Sequence, residues 1–144
     1  ARINASNIET HAIDWSVGDG GLAGEFDVVM VDAPCSGTGT IRRRPDLVAR
    51  KSEASIDELT SLQRAIFRRA SGLLRKGGRL LYSVCSVLPE EGEEAVADAA
   101  SLGLSPIAFA SEPLRALAGD ATTLRLLPHA HGTDGYFLAH FSKI

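Results

Sequence analysis

Two nearly unbroken apolar runs, Phe26-Asp27-Val28-Val29-Met30-Val31-Asp32 and Arg79-Leu80-Leu81-Tyr82-Ser83-Val84-Cys85, bracket one strongly periodic helical segment. Runs of this length and composition suit strands covered on both faces. A helix between them is the crossover that a parallel pair requires. Ser55 with Glu58 three residues on predicts the helix start as a capping box. Leu59, Leu62, Ile66, Ala70 and Leu73 follow at helical spacing, and Gly77-Gly78 predicts its end. Ile8 to Asp14 reads as a short strand. Pro89 opens a second helix through about Ala100, with Glu90, Glu91, Glu93 and Glu94 complementing its N-terminal dipole and mostly facing water. Ser105 to Phe109 reads as a strand, and Asp120 to Leu127 pairs with Tyr136 to Phe141 around Gly132-Thr133-Asp134-Gly135. The alternation predicts a layered α/β domain, a mostly parallel sheet with an antiparallel C-terminal hairpin.

Composition narrows the class. With 144 residues, 44% of them hydrophobic, one core is expected and a second domain is not. No apolar run approaches the ~20 residues of a membrane span, and the opening residues do not read as a signal peptide. Two cysteines outside any C-x-x-C pattern exclude a disulfide scaffold and a zinc knuckle, so a reduced, cytoplasmic protein is expected. His11, His129, His131 and His140 lack metal-ligand spacing, and no metal site is expected.

The net charge of −3 conceals an asymmetry. Thr40 to Leu80 holds eleven Lys/Arg against four acids, a net +7 that leaves −10 for the rest. Such a segment on an acidic body suits a polyanion. The set from Arg64 to Lys76 is read equally well as solvated helix arginines. Arg42-Arg43-Arg44-Pro45 differs, because it follows the most informative turn in the chain.

Both apolar runs end in cysteine-bearing turns, Asp32-Ala33-Pro34-Cys35 and Cys85-Ser86. Ligands of open α/β sheets gather at the carboxyl ends of strands. If the two strands are parallel neighbours, both thiols and Asp32 reach one edge of the sheet. A buried cysteine is more often a small apolar filler than a reagent. The position of this pair in turns rather than strand interiors shifts the balance towards chemistry, a thiol-plus-carboxylate site of unspecified use.

Asp32-Ala33-Pro34-Cys35-Ser36-Gly37-Thr38-Gly39, followed by Ile41-Arg42-Arg43-Arg44-Pro45-Asp46, resembles the fourth motif of RNA cytosine-C5 methyltransferases of the Sun/Fmu type. Tyr82-Ser83-Val84-Cys85-Ser86-Val87-Leu88-Pro89-Glu90-Glu91 resembles their sixth, and Leu127-Pro128-His129 with His131-Gly132-Thr133-Asp134-Gly135-Tyr136-Phe137 their C-terminal signature. Val84 stands where that family usually has Thr, and Gly92 where Asn is common. The resemblance implies a Rossmann-like class I methyltransferase fold, S-adenosylmethionine as cofactor, and RNA, ribosomal RNA first, as partner. It implies Cys85 as the nucleophile that adds to carbon 6 of cytosine so that carbon 5 attacks the methyl group. Cys35 would assist the later elimination, and Asp32 would lie between cofactor and base. Asp14 matches an acid that contacts the adenosyl group, and Arg42, Arg43 and Arg44 would hold RNA phosphates.

A glycine-rich turn after a first strand and an acid after a second are absent from these residues. Residues 1–144 are therefore expected to be the C-terminal portion of one methyltransferase domain, its sheet incomplete on the N-terminal side. In the family's strand order 3-2-1-4-5-7-6 the strand ending at Asp32 would lack a neighbour, inviting edge pairing with a second copy. Weak cofactor binding and low activity are expected of the isolated 144 residues. Two other readings remain open: a non-catalytic RNA-binding remnant of the fold, and a dithiol redox protein using Cys35 and Cys85.

Overall fold

A computed structural model describes residues 6–22, 24–50 and 52–144. The strands are β1 (Phe26–Asp32), β2 (Leu74–Val84), β3 (Leu104–Pro106), β4 (Thr123–Leu126) and β5 (Tyr136–Lys143). The helices are α1 (Glu53–Gly72), α2 (Glu112–Ala118) and the single turn α3 (Pro128–His131). The five strands form one open sheet in the order β1-β2-β5-β3, with β4 also paired to β5. β1 and β2 are parallel, with Asp32 opposite Ser83. β5 runs antiparallel to β2, β3 and β4. This arrangement agrees with the 4-5-7-6 part of the expected order.

α1 crosses from β1 to β2 and covers the inner face of the sheet. Phe67 meets Tyr82 edge-on at 5.8 Å between ring centroids and Phe141 at 5.4 Å, and Tyr82 meets Phe137 at 6.4 Å. Leu80, Val84 and Leu104 complete a core with essentially no exposed side chain. Edge-to-face ring contacts contribute about 0.5–1.5 kcal/mol each beyond area burial.

Several expectations are corrected. The α1 cap is Ser52, not Ser55: the Ser55 amide donates to the Ser52 hydroxyl and the Ser52 amide to the Ser55 hydroxyl. The pairing pattern of a capping box is kept, three residues earlier and with serine in the place of glutamate. The buried residues of α1 are Thr60, Gln63, Phe67, Ala70 and Ser71, so polar side chains share the inward face with Phe67 and Ala70, and Gln63 is fully buried at its centre. The helix ends at Gly72, and Gly77-Gly78 instead lies within β2. There a Cβ on Gly78 would stand 2.9 Å from both the Arg75 and the Phe26 carbonyl oxygens, which requires glycine.

Residues 8–14 form no strand and pair with none of the five. The expected helix from Pro89 to Ala100 is instead a series of turns and two short 3-10 segments, Glu94–Val96 and Ala99–Leu102. Gly92 lies among them where a Cβ would meet Arg125 at 2.6 Å and the Phe137 ring at 3.0 Å. Glu91 is fully buried rather than facing water. β1 is not covered on both faces: Val28 and Met30 are 64% and 67% exposed. β1 closes one end of the sheet, with its second edge unpaired among the described residues.

Candidate active site

β1 and β2 end side by side, and the chain leaves both through tight turns. The Ala33 amide donates to the Ser83 carbonyl, extending the parallel pairing one residue past Asp32. The two sulfurs then meet, Cys35 Sγ lying 3.3 Å from Cys85 Sγ. The convergence expected from topology is observed at contact distance, and both thiols are half-buried.

The two turns are fastened together by small polar groups. Ser86 Oγ is 3.0 Å from Thr38 Oγ1, which accepts from the Val87 amide at 3.2 Å. The Gly39 amide donates to the Cys85 carbonyl at 3.1 Å. Val84, which lacks the hydroxyl of threonine, is a fully buried core residue, and this Thr38–Ser86 pair supports the Cys85 turn instead. Below them Glu91 accepts from the Ser36 amide at 2.7 Å, from the Ser36 hydroxyl at 2.5 Å and from Gln63 Nε2 at 3.1 Å. Gln63 Nε2 also donates to the Pro34 carbonyl at 2.9 Å, which explains its place on the inward face of α1.

The thiols open into a cavity of about 450 Å³ lined by Gly37, Thr40, Arg43, Arg44 and Leu47 as well as the two cysteines and Ser36. Of the three consecutive arginines, two are engaged. Arg42 donates to the Gly132 and Thr133 carbonyls at 3.0 and 3.3 Å, and Arg43 pairs with Asp134. Arg44 has no side-chain partner among the described residues and lines the cavity. Further along, Arg64 pairs with Glu94, Arg68 with Asp98 and Arg75 with Asp27, and Arg69 holds the Trp15 and Val17 carbonyls. Those four arginines serve local pairing.

Burial, followed by the hydrogen bond to Cys85 and the charge it can carry, pushes the Cys35 thiol up from 9.0 to about 12. Cys35 therefore keeps its proton at neutral pH. Tyr136, at the start of β5, has its phenol raised first by burial and then by the Cys85 and Asp32 charges.

Asp32 lines a second, apolar cavity of about 210 Å³, separate from the one at the thiols, with Trp15, Val29, Met30, Val31, Pro34, Ile66 and Ala70. An apolar slot bearing one carboxylate fits the flat ring of an adenosyl group. Asp14 is exposed and lines a separate hollow with His11, Ile13 and Gly20. Its carboxylate accepts from the Ser16 amide and hydroxyl, and the latter bond first of all holds its pKa below the usual value. The structure thus brings Cys35 and Cys85 into contact, puts Arg43 and Arg44 in their cavity, sets Asp32 at the end of the same parallel pair but in a neighbouring hollow, and leaves Asp14 in a third.

Sequence reasoning passed over Glu91, Trp15 and Tyr136. Glu91 was hidden in an acidic run that has the composition of a solvated helix start. Trp15 follows Asp14 directly, and a lone tryptophan beside a candidate ligand acid was the available signal.

A family model described as 16S rRNA methyltransferase RsmB/F matches residues 1–142. The chain belongs to this family. It is 38% identical over 118 residues to ribosomal RNA small subunit methyltransferase B of Pectobacterium carotovorum, a match covering 82% of the chain and 26% of that protein. It is 34% identical over 151 residues to ribosomal RNA small subunit methyltransferase F of Erwinia tasmaniensis, covering all of the chain and 31% of the relative. Among solved structures, NSun6 from Pyrococcus horikoshii with SFG, an S-adenosylmethionine analogue, superposes with a TM-score of 0.76 at 30% identity. That match covers 96% of the chain and 35% of NSun6. The fold is that of the Rossmann-like methyltransferases. The chain spans about a quarter to a third of the length of these relatives. No described helix is long and apolar enough to cross a membrane.

Proposed function

We propose that this chain carries the catalytic thiols of an enzyme that methylates carbon 5 of cytosine in RNA, with ribosomal RNA as the substrate. The observation behind the reading is the 3.3 Å contact between Cys35 and Cys85 just past the ends of adjacent parallel strands, with Asp32 in the last register pair of those strands, opposite Ser83. S-adenosylmethionine, when bound, supplies a methyl group made electrophilic by its sulfonium. Asp32 and the apolar slot with Trp15 would hold it, and Asp14 is a second, more distant contact. These residues supply only part of such a site, and the isolated 144 residues are expected to bind the cofactor weakly.

Cys85 adds as the thiolate to carbon 6 of the cytosine, and the electron pair displaced there makes carbon 5 nucleophilic. Asp32 hydrogen-bonds the base edge as charge develops at N3. Cys35 stays protonated through this step, because burial and Cys85 both hold its proton on. Once Cys85 has become a neutral thioether, its charge and its hydrogen bond no longer raise Cys35. Cys35 then gives up its own proton to solvent and, as the thiolate, takes the carbon 5 proton; the C5–H electron pair re-forms the C5=C6 bond and expels Cys85 from carbon 6 as the thiolate. Two sulfurs in contact thereby divide attack and release between them. Arg44 holds a phosphate of the same strand in the cavity.

The test is covalent trapping on RNA containing 5-azacytidine, with S-adenosylmethionine, in a protein carrying this segment at the full length of its relatives. The parent forms an adduct, Cys85→Ser forms none, and Cys35→Ser accumulates adduct on ordinary cytosine RNA. Adduct formation by Cys85→Ser would end the proposal. The thiol contact also suits a dithiol redox protein. That reading predicts a reversible disulfide and no response to RNA.

A further inference from the structure

Glu91 is a carboxylate with no exposed surface and no cationic partner among the described residues. Burying such a charge is costly unless every lone pair is met. Here it is met by neutral donors from two separate elements, the Ser36 amide and hydroxyl after β1 and the Gln63 amide of α1. The Glu91 backbone is fixed as well, since the Tyr82 hydroxyl donates to its carbonyl at 2.9 Å. Ser36 is the residue next to Cys35, and its hydroxyl lies 3.5 Å from that of Ser86, the residue next to Cys85. Gln63 also holds the Pro34 carbonyl, so both residues flanking Cys35 are tied to one carboxylate assembly.

We infer that Glu91 is the positioning residue of the thiol pair: it grips the Cys35 turn through Ser36 and presses it against the Cys85 turn, setting the distance between the sulfurs. The inference rests on reading Cys35 and Cys85 as a working pair, yet it concerns geometry that exists without RNA or cofactor. Fold stability alone would be served by an apolar side chain filling the same space. A charged acceptor meeting two donors of one residue specifies where that residue sits, which an apolar filler does not.

The experiment equilibrates the 144-residue chain with glutathione buffers. One glutathione disulfide oxidises the two thiols to an intramolecular disulfide and is itself reduced to two glutathiones, so electrons and protons balance. Acid quenching, alkylation and mass spectrometry give the effective concentration of one thiol towards the other. Glu91→Ala is expected to lower that concentration about tenfold. Glu91→Gln, which keeps an acceptor for the Ser36 and Gln63 amides, should stay within about twofold of the parent. Leu104→Ala, a core truncation in β3 at the opposite end of the strand order from β1, serves as the control for destabilisation. It should lower the thermal midpoint and leave the thiol equilibrium unchanged. Should Glu91→Ala fail to fold, Ser36→Ala removes only the hydroxyl arm and is expected to lower the effective concentration about threefold. The inference is overturned if the folded Glu91 or Ser36 variant matches the parent, or if Leu104→Ala moves the equilibrium equally. Azacytidine trapping is scored separately, so adduct formation with an unmoved thiol equilibrium defeats this inference alone.

Discussion

The Gly135 amide donates to the Gly39 carbonyl at 2.8 Å, so the loop before β5 rests backbone-to-backbone on the turn that carries Cys35. A Cβ on Gly39 would lie 2.0 Å from the Gly135 carbonyl oxygen, and one on Gly135 would lie 2.4 Å from Val87 Cγ1. Neither loop has room for a side chain. The C-terminal signature and the Cys35 turn are one structural unit, although about a hundred residues separate them. Gly39→Ala should therefore destabilise the chain by roughly 1–3 kcal/mol, the usual cost of overpacking. Urea unfolding reads this as a lower midpoint at unchanged slope. A midpoint equal to that of the parent would show that the two loops part freely.

The three arginines after this turn should separate in their effects. Arg42 and Arg43 are committed to the Gly132–Asp134 loop, whereas Arg44 lines the thiol cavity without a partner. Arg44→Gln should weaken RNA binding uniformly across sequences and reduce the salt slope by about 1, with no change in unfolding midpoint. Asp134→Asn should act oppositely, loosening the loop while freeing Arg43, so that stability falls and RNA affinity does not. Filter binding across a salt series distinguishes the two. Equal slopes for Arg44→Gln and the parent would remove Arg44 from the RNA contact.

Burial and Cys85 raise the Cys35 thiol from 9.0 to about 12, and this has a consequence for stability at high pH. Folding favours the protonated thiol, so its contribution is complete below pH 9.0 and is lost as pH climbs towards about 12. The unfolding midpoint of the parent should therefore fall more steeply across that window than that of Cys35→Ala. Tyr82 is raised first by burial, a part common to both proteins that cancels in the comparison, and then by the Cys35 charge, a part that Cys35→Ala removes together with the thiol. Parallel curves for the two proteins would mean that Cys35 ionises as readily folded as unfolded.

The β1–α1–β2 unit and the β4–β5 hairpin were legible because their signals are local. Apolar runs of strand length, a helical stripe and a glycine-rich turn each act within a dozen residues. The meeting of Cys35 and Cys85 followed from topology, since parallel strands joined by a helix finish at the same edge. Glu91 was not legible. Its burial depends on Ser36, 55 residues earlier, and Gln63, 28 residues earlier, and composition alone places a Glu-Glu pair in water. The turns after Pro89 have a related cause: Gly92 makes way for Arg125, stacked 5.1 Å over its cross-strand partner Phe137 in the β4–β5 hairpin, which lies far along the chain. Ser55 with Glu58 has the commoner capping-box composition, but Ser52 with Ser55 satisfies the same donors three residues earlier.

β1 carries the last prediction. Val28 and Met30 are more than half exposed, and the strand has a neighbour on one edge only among the described residues. An apolar strand with a row of unpaired amides and carbonyls is a template for another strand. In the isolated 144-residue chain the available partner is the β1 edge of a second copy, which pairs the two chains as a dimer. Sedimentation velocity should show mass rising with concentration, and Met30→Lys should suppress that rise, because a charge on an edge strand opposes pairing. Met30 is 67% exposed, so the substitution is not expected to move the unfolding midpoint of the monomer by more than about 0.5 kcal/mol. A single species of monomer mass at every concentration would show that the edge is not a pairing surface, whatever its composition.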